Sequence, residues 1–395
     1  MADQDFDVIV VGAGIAGIAA AAELSTTHKV VVLERESHPA YHSTGRSAAV
    51  FSETYGNAVI RALSRSSRSF FMAPPEGFTP TALTKPRAFL YIAREDQLPS
   101  LAAFAGAHDV SAATRLVSAQ EARELCPVLR EGYVAAAVLE HGGADIDVHG
   151  LHQGYLRRLR RNGGVVVTDA EVHETNWRSD RWHVRSAGGD FSAPILVNAA
   201  GAWADSLAAL AAVRPVGLVP CRRTALLVAA PEFGAIDHWP AVIDVDEQFY
   251  FKPDAGLLLL SPADETPTPP CDAQPDDIDI AIAIDRIQRA ATLDVRTVRR
   301  KWAGLRSFVA DRSPVIGFDD ERPGFFWIAG QGGYGIQTAP AAARLAAALI
   351  RGNRIPEELE ELGVCETAIA PRRLRAPDRG HDKSCTQIHA NLDKS

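Results

Sequence analysis

An α/β fold, with a parallel sheet wound by helices at a nucleotide-binding end, is predicted from three observations. The β-branched run Phe6–Val11 leads through a glycine-spaced turn into the Ala-rich helical stretch Ile15–Leu24. A second apolar run, Lys29–Leu33, completes a βαβ unit within the first 35 residues. Strands that are apolar throughout are buried on both faces, as in parallel sheets covered by helices. Two later strand-then-glycine units, Ile195–Trp203 and Phe325–Gln337, repeat the pattern far down the chain.

The remaining elements follow in order. Asn57–Phe71 and Ala119–Leu125 have helical spacing, and Ala88–Ile92 and Val134–Leu139 have the look of strands. Asp147 is placed to cap a helix through Leu151, Tyr155 and Leu159. The turn Asn162-Gly163-Gly164 then leads into strand Val165–Thr168. Strands are expected near Trp182–Val184 and Ile195–Val197, and strand-like runs alternate with turns across 221–262. Pro262–Asp277 reads as a surface loop, and Ala339–Ile350 as a buried helix. Residues 376–395 carry almost nothing apolar and are expected to form a flexible tail.

At 395 residues the chain holds about two to three domains of roughly 150 residues. Its 47% hydrophobic and 23% charged residues exclude disordered, collagenous and coiled-coil classes. A net charge of −8 argues against nucleic acid as a partner and against a polybasic membrane anchor. Of the 41 basic residues 35 are arginine, so an arginine carries meaning only at a special position. The five cysteines, at 126, 221, 271, 365 and 385, form no CxxC pair and are too scattered for a disulfide framework. The acidic start MADQDFD is unlike a secretory signal. The longest apolar stretch, Val8–Ala22, is broken by three glycines, so no transmembrane segment is expected. A cytoplasmic location is the expectation.

Gly12, Gly14 and Gly17 form a G-x-G-x-x-G between strand and helix. The first permits a sharp turn, the second a close approach to a pyrophosphate, and the third close packing of helix on strand. The helix start adds N–H groups and positive dipole. Glu34 ends the next strand, where a carboxylate accepts ribose hydroxyls and repels a 2′-phosphate. A two-half NAD enzyme would place its second nucleotide half next. Here the chain runs instead into Tyr41–Ala49, a small-residue segment rich in donors. A long cofactor met at three distant segments fits FAD better than NAD. His149 and His152 stand three apart behind Asp145 and Asp147, but in a capped helix start rather than a metal site, and no metal is expected.

These stretches, together with VVLERE, YHSTGRSAA, LVNAAGAWAD, FYFKPDAG, WAGLRSFVAD and QGGYGIQT, resemble the D-amino-acid oxidase superfamily of flavoproteins over residues 6–375. The chain looks most like the D-arginine dehydrogenase branch. The resemblance implies a Rossmann-like, doubly wound FAD-binding domain (1–50, 145–215 and 310–375) interleaved with an antiparallel-sheet substrate domain (51–144 and 216–309). It also implies FAD contacts at Gly12, Gly14, Ala16, Gly17, Glu34 and Arg35. Further contacts are Ser43, Thr44, Gly45, Arg46, Ser47, Ala48 and Ala49, then Val172, Gly201 and Trp203. The last group, Gly333, Tyr334, Gly335, Ile336 and Gln337, would meet the flavin, where a helix N-terminus stabilises negative charge. Relatives that attach flavin covalently use a cysteine near this last cluster, and none stands here, so noncovalent FAD is expected.

The implied activity is oxidation of a D-amino acid, with hydride passing from Cα to flavin N5 and the imino acid hydrolysing to a 2-oxo acid and ammonia. Such chemistry needs orientation more than acid–base groups. By motif position, Arg223 (beside Arg222) and Arg306 would clamp the substrate carboxylate, with Tyr250 and Tyr55 completing the grip. The Gly333 carbonyl would meet the amine, with Gln337 nearby. Two departures matter: the branch's acidic partner for a cationic side chain falls at Phe89, and its loop histidine falls at Val50. An unpaired cation against Phe89 costs several kcal/mol. Apolar or aromatic D-amino acids are therefore expected over D-arginine, unless Glu53 supplies the missing acid. The rival readings are a secondary amine or a 2-hydroxy acid as substrate, or an inactive flavin-binding protein. Oxygen, a quinone or another carrier is the electron acceptor; the choice stays open.

Overall fold

The computed structural model describes residues 4–107, 110, 113–231 and 235–375. The expected tail lies outside them. Six strands build the nucleotide-type sheet, in the order Val165–Val167, Val30–Leu33, Val8–Val11, Ile195–Asn198, Phe325–Ala329 and Val315–Phe318. The first five run parallel and the last returns antiparallel at the edge. Val11, Leu33 and Asn198 are in register, so three carboxyl ends open at one rim, the place where open α/β sheets bind ligands. Val8–Val10 and Val30–Leu33 are fully buried, each side chain contributing about 1.5–3 kcal/mol.

Helices Ile15–Leu24, Val148–Arg161 and Gly335–Ile350 cover one face. The small side chains Ala19–Ala22 let the first approach its neighbours closely, and all four are buried. Asp147 caps the second, its Oδ1 accepting from Gly150 N at 2.8 Å. The α/β class and the Rossmann-like winding hold. On the second face, however, most of the cover is a four-stranded sheet whose Trp182, Val184 and Phe191 pack on Ile9, Val31 and Leu196.

The larger sheet has nine strands. Its path runs Thr266–Pro267, Val219–Ala229, Leu257–Ser261, Tyr250–Asp254, Ala241–Asp244, Phe89–Ala93, Ala136–Glu140 and Thr114–Ser118, with Val298–Phe308 on the other side of Val219–Ala229. It is antiparallel except where Ala241–Asp244 meets Phe89–Ala93, the junction of two separate chain excursions. Ser43 Oγ donates to Leu305 O at 2.6 Å and Trp302 Nε1 to Arg46 O at 2.9 Å, stapling the Tyr41–Ala49 segment to this sheet.

Helix Asp277–Ala290 begins where the expected Pro262–Asp277 loop ends, capped by Asp276, and the loop itself contributes only the two-residue strand Thr266–Pro267. Its Ile278, Ile280, Ile282 and Ile284 alternate as a strand would, but Ile280, Ala283 and Ile287 are the buried face. Tertiary burial selects the helical period. The helix expected at Ala339–Ile350 starts four residues earlier, at Gly335, so the end of the glycine cluster opens its first turn.

Candidate active site

The glycine turn has the geometry its spacing demands. Gly12 has φ +104°, and a Cβ there would stand 2.4 Å from Ala199 O. A Cβ on Gly17 would stand 2.0 Å from Gly12 O, so that helix and strand touch only through glycine. Two of the turn's N–H groups are already used: Glu34 Oε2 accepts from Ala13 N at 2.8 Å, and Thr44 Oγ1 from Ile15 N at 3.0 Å. Glu34 Oε1 accepts from Glu36 N at 3.0 Å, so the carboxylate is held rigidly with lone pairs to spare. His152, dismissed as a ligand by its helical context, has a different task. Its Nε2–H donates to Ala13 O at 3.0 Å, and burial pushes the imidazole below its ordinary 6.5.

Three cavities of about 310, 150 and 80 Å³ adjoin one another, sharing Gly14, Ser43, Thr44 and Gly201 at the first junction and Ser47, Arg223, Arg306 and Gly333 at the second. The first opens at the sheet rim among Gly12, Glu34, Arg35, Val172 and Trp203. His42, within the Tyr41–Ala49 segment but not among the contacts the resemblance implies, packs on Trp203 with ring centroids 4.7 Å apart, while Arg35 lies over the same indole at 4.9 Å. The second cavity runs past Ala16, Arg46, Ser47, Ala48, Gly335 and Ile336. Ala49, Gly333 and Gln337 line the third. Gly17, Gly45 and Tyr334 line none of the three; Tyr334 is buried and packs on Tyr55 with ring centroids 4.8 Å apart. Arg46 lines its cavity only with its stem, since its guanidinium bonds Ala273 O, Ala303 O and Asp272.

Val50, Tyr55, Phe89, Arg223, Tyr250, Arg306, Gly333 and Gln337 come together around the innermost cavity. The strand period explains which arginine arrives. Arg306 pairs with Cys221 and Arg223 with Gly304, so Arg223 and Arg306 share one face, whereas Arg222 turns to the other and meets Asp279 at 2.8 Å. Arg306 Nη1 donates to Tyr55 OH at 3.3 Å. Arg223, 7% exposed, donates to Glu265 at 2.9 Å. Gln337 is held at both ends, accepting from Ser52 N at 3.1 Å and donating to Ser64 Oγ at 2.9 Å.

Glu53 does not line the inner cavity; it pairs with Arg68 at 3.2 Å. Four polar groups that sequence spacing did not single out stand here instead. Lys252 lines the wall and pairs with Asp145 at 2.7 Å, and the exposed Glu247 sits at the mouth on a left-handed backbone turn, φ +54°. Gln331 lines the second cavity. Glu140, cross-strand from Phe89, lies behind Ser52 and Tyr91. Burial pushes Glu140 above the usual carboxylate range, opposed by hydrogen bonds from Thr54 at 2.7 Å and Ser52 at 2.9 Å. No local pattern marks a carboxylate whose partners come from a loop over 80 residues away.

Residues 7–349 match the FAD-dependent oxidoreductase (DAO) family, and the chain belongs to it. Glycine oxidase of Geobacillus kaustophilus is 24% identical over 87% of this chain and 93% of its own length. Among solved structures, L-proline dehydrogenase from P. horikoshii superposes with a TM-score of 0.80 at 21% identity over 95% of this chain and 99% of that one. Iminodiacetate oxidase from Chelativorans sp. BNC1 superposes with a TM-score of 0.75 at 21% identity, over 90% and 98%. The cofactor is therefore FAD, and the site fits it. A run of adjoining cavities starts at the glycine turn, and two buried donors beside its inner part, Gln331 Nε2 and Arg223 Nε, lack a protein partner among the described residues. No described helix is long and apolar enough to cross a membrane.

Proposed function

We propose that this chain oxidises a D-amino acid with an apolar or aromatic side chain to its imino acid, which water converts to the 2-oxo acid and ammonia. The observation that carries this reading is the inner cavity. It brings Arg306, Tyr55 and Tyr250 together with the apolar Val50, Phe89, Ala241, Ile243 and Phe249. Noncovalent FAD, when bound, supplies the two-electron acceptor. Glu34 would hold the ribose, the Gly12–Gly17 turn the pyrophosphate, Val172 and Trp203 the adenine, and Gly333–Gln337 the flavin end.

Arg306 and Arg223 fix the substrate carboxylate, and two fixed points plus an apolar wall determine which face of Cα is presented. The Gly333 carbonyl accepts from the amine. The one acid lining the cavity among the described residues is Glu247, exposed at the mouth, so a guanidinium or ammonium group lying against Phe89 short of it would be desolvated without a partner. The second reading keeps the same site with a secondary amine or a 2-hydroxy acid as substrate. It draws support from the names of the similar iminodiacetate oxidase and L-proline dehydrogenase.

Anaerobic mixing of the FAD-loaded protein with D-Met, D-Leu, D-Phe, D-Arg, N-methyl and 2-hydroxy acids separates these. Bleaching of the flavin fastest with apolar D-amino acids supports the main reading. Faster bleaching by D-Arg, or by an N-methyl or 2-hydroxy acid, refutes it. No bleaching with any would mark a flavin-binding protein without turnover. Re-aerating the sample shows whether oxygen is the acceptor.

A further inference from the structure

Four charged side chains line the inner cavity: Arg223, Lys252, Arg306 and Glu247. Their charges are not equally available. Lys252 is paired with Asp145 at 2.7 Å, and Arg223 with Glu265 at 2.9 Å. Glu265 is also gripped from the rim by Arg312, at 2.9 and 3.1 Å, so its carboxylate is held against Arg223 from two sides. Burial alone would raise the Glu265 pKa, but these two guanidiniums hold it below its ordinary value. Arg306 bonds only the Tyr55 hydroxyl and is the one lining cation without a carboxylate partner among the described residues. The fourth lining charge, Glu247, is itself an anion.

We infer that Glu265 is a specificity-determining residue, which by occupying Arg223 leaves Arg306 as the lining cation open to a carboxylate and so admits monocarboxylates in preference to dicarboxylates. The substrate's own carboxylate satisfies Arg306. Arg223 can still donate hydrogen bonds to it, because its Nε is buried and has no partner among the described residues. A second carboxylate brought to Arg223 would stand beside Glu265 there and face Glu247 at the mouth, two like charges that oppose it. Such juxtapositions are how binding sites exclude near relatives of their ligand.

This inference rests on the carboxylate-site reading above, and its test is a binding measurement independent of turnover. Butyrate and succinate share a four-carbon skeleton and differ in one carboxylate. Titrating each into the FAD-loaded protein, followed by the flavin absorbance change and by calorimetry, gives the ratio of the two dissociation constants. The expectation is that wild type prefers butyrate by about tenfold or more, and that Glu265→Gln narrows the ratio by about tenfold through tighter succinate binding. If the glutamine variant does not fold, Glu265→Ala takes its place. Succinate binding wild type as tightly as butyrate overturns the inference, as does a ratio that the variant leaves unchanged. Failure of both acids to bind overturns the carboxylate-site reading itself, an outcome distinct from loss of selectivity.

Discussion

Replacing Arg306 by methionine should separate ligand binding from folding. In the folded protein the guanidinium makes one hydrogen bond, to Tyr55 OH at 3.3 Å, and no ion pair among the described residues. That bond is longer than the usual 2.7–3.2 Å, so its loss costs about 1 kcal/mol at most. Removing a partly desolvated, unpaired charge offsets some of that cost. A bound carboxylate has more to lose. Two charge-assisted hydrogen bonds at about 1.5–3 kcal/mol each go with the side chain, so a loss of about 3 kcal/mol, or roughly 150-fold in affinity, is a cautious expectation. Thermal unfolding of the variant should give a midpoint within about 3 °C of wild type, the shift expected of roughly 1 kcal/mol in a large domain. Butyrate titration into the FAD-loaded variant should show the affinity loss, and kcat/KM for the best D-amino acid should fall in parallel. Unchanged carboxylate affinity would refute the assignment of Arg306 as the anchor. A drop of many degrees in the midpoint would show instead that the guanidinium is structural.

Glu34→Ala removes a carboxylate held by Ala13 N and Glu36 N beside the first cavity, and FAD affinity should fall by about tenfold to a hundredfold, read by equilibrium dialysis. His152 should make stability pH-dependent in one direction. Its folded pKa lies below its ordinary 6.5, so its contribution is present above pH 6.5 and is lost as pH falls, because the unfolded chain takes up the proton first. The slope is at most about 1.4 kcal/mol per pH unit, and His152→Gln, which keeps an N–H donor for Ala13 O, should flatten the fall in midpoint below pH 6.5. Phe89→Glu should raise kcat/KM for D-Arg relative to D-Met by about tenfold or more, because it places a carboxylate on the apolar wall. An unchanged ratio would show that the side chain does not reach this wall.

How much of this was readable from the chain alone depends on the reach of each interaction. The strand–glycine–helix start is local. Helix Ile15–Leu24 and the Asp147 cap follow from patterns spanning a few residues, and the structure places them where the spacing does. The Asp277–Ala290 helix was not readable, because its isoleucines satisfy two periods and only packing against the larger sheet chooses between them. Arg223 rather than Arg222 follows from motif position, but its physical reason is the alternation of side chains across the pairing with Val298–Phe308. The electrostatic state of the inner cavity had no local signal. Glu265 reaches Arg223 from 42 positions away, and Glu140 meets a loop 86 to 88 positions upstream. The N-terminal motif, its acid and the apolar strands specify a dinucleotide-binding α/β protein because those contacts close within one βαβ unit, and FAD over NAD follows from the segments farther along the chain. Which arginine keeps a free charge, and which acids are spent on partners, emerges only when distant strands are brought side by side and water is excluded from between them.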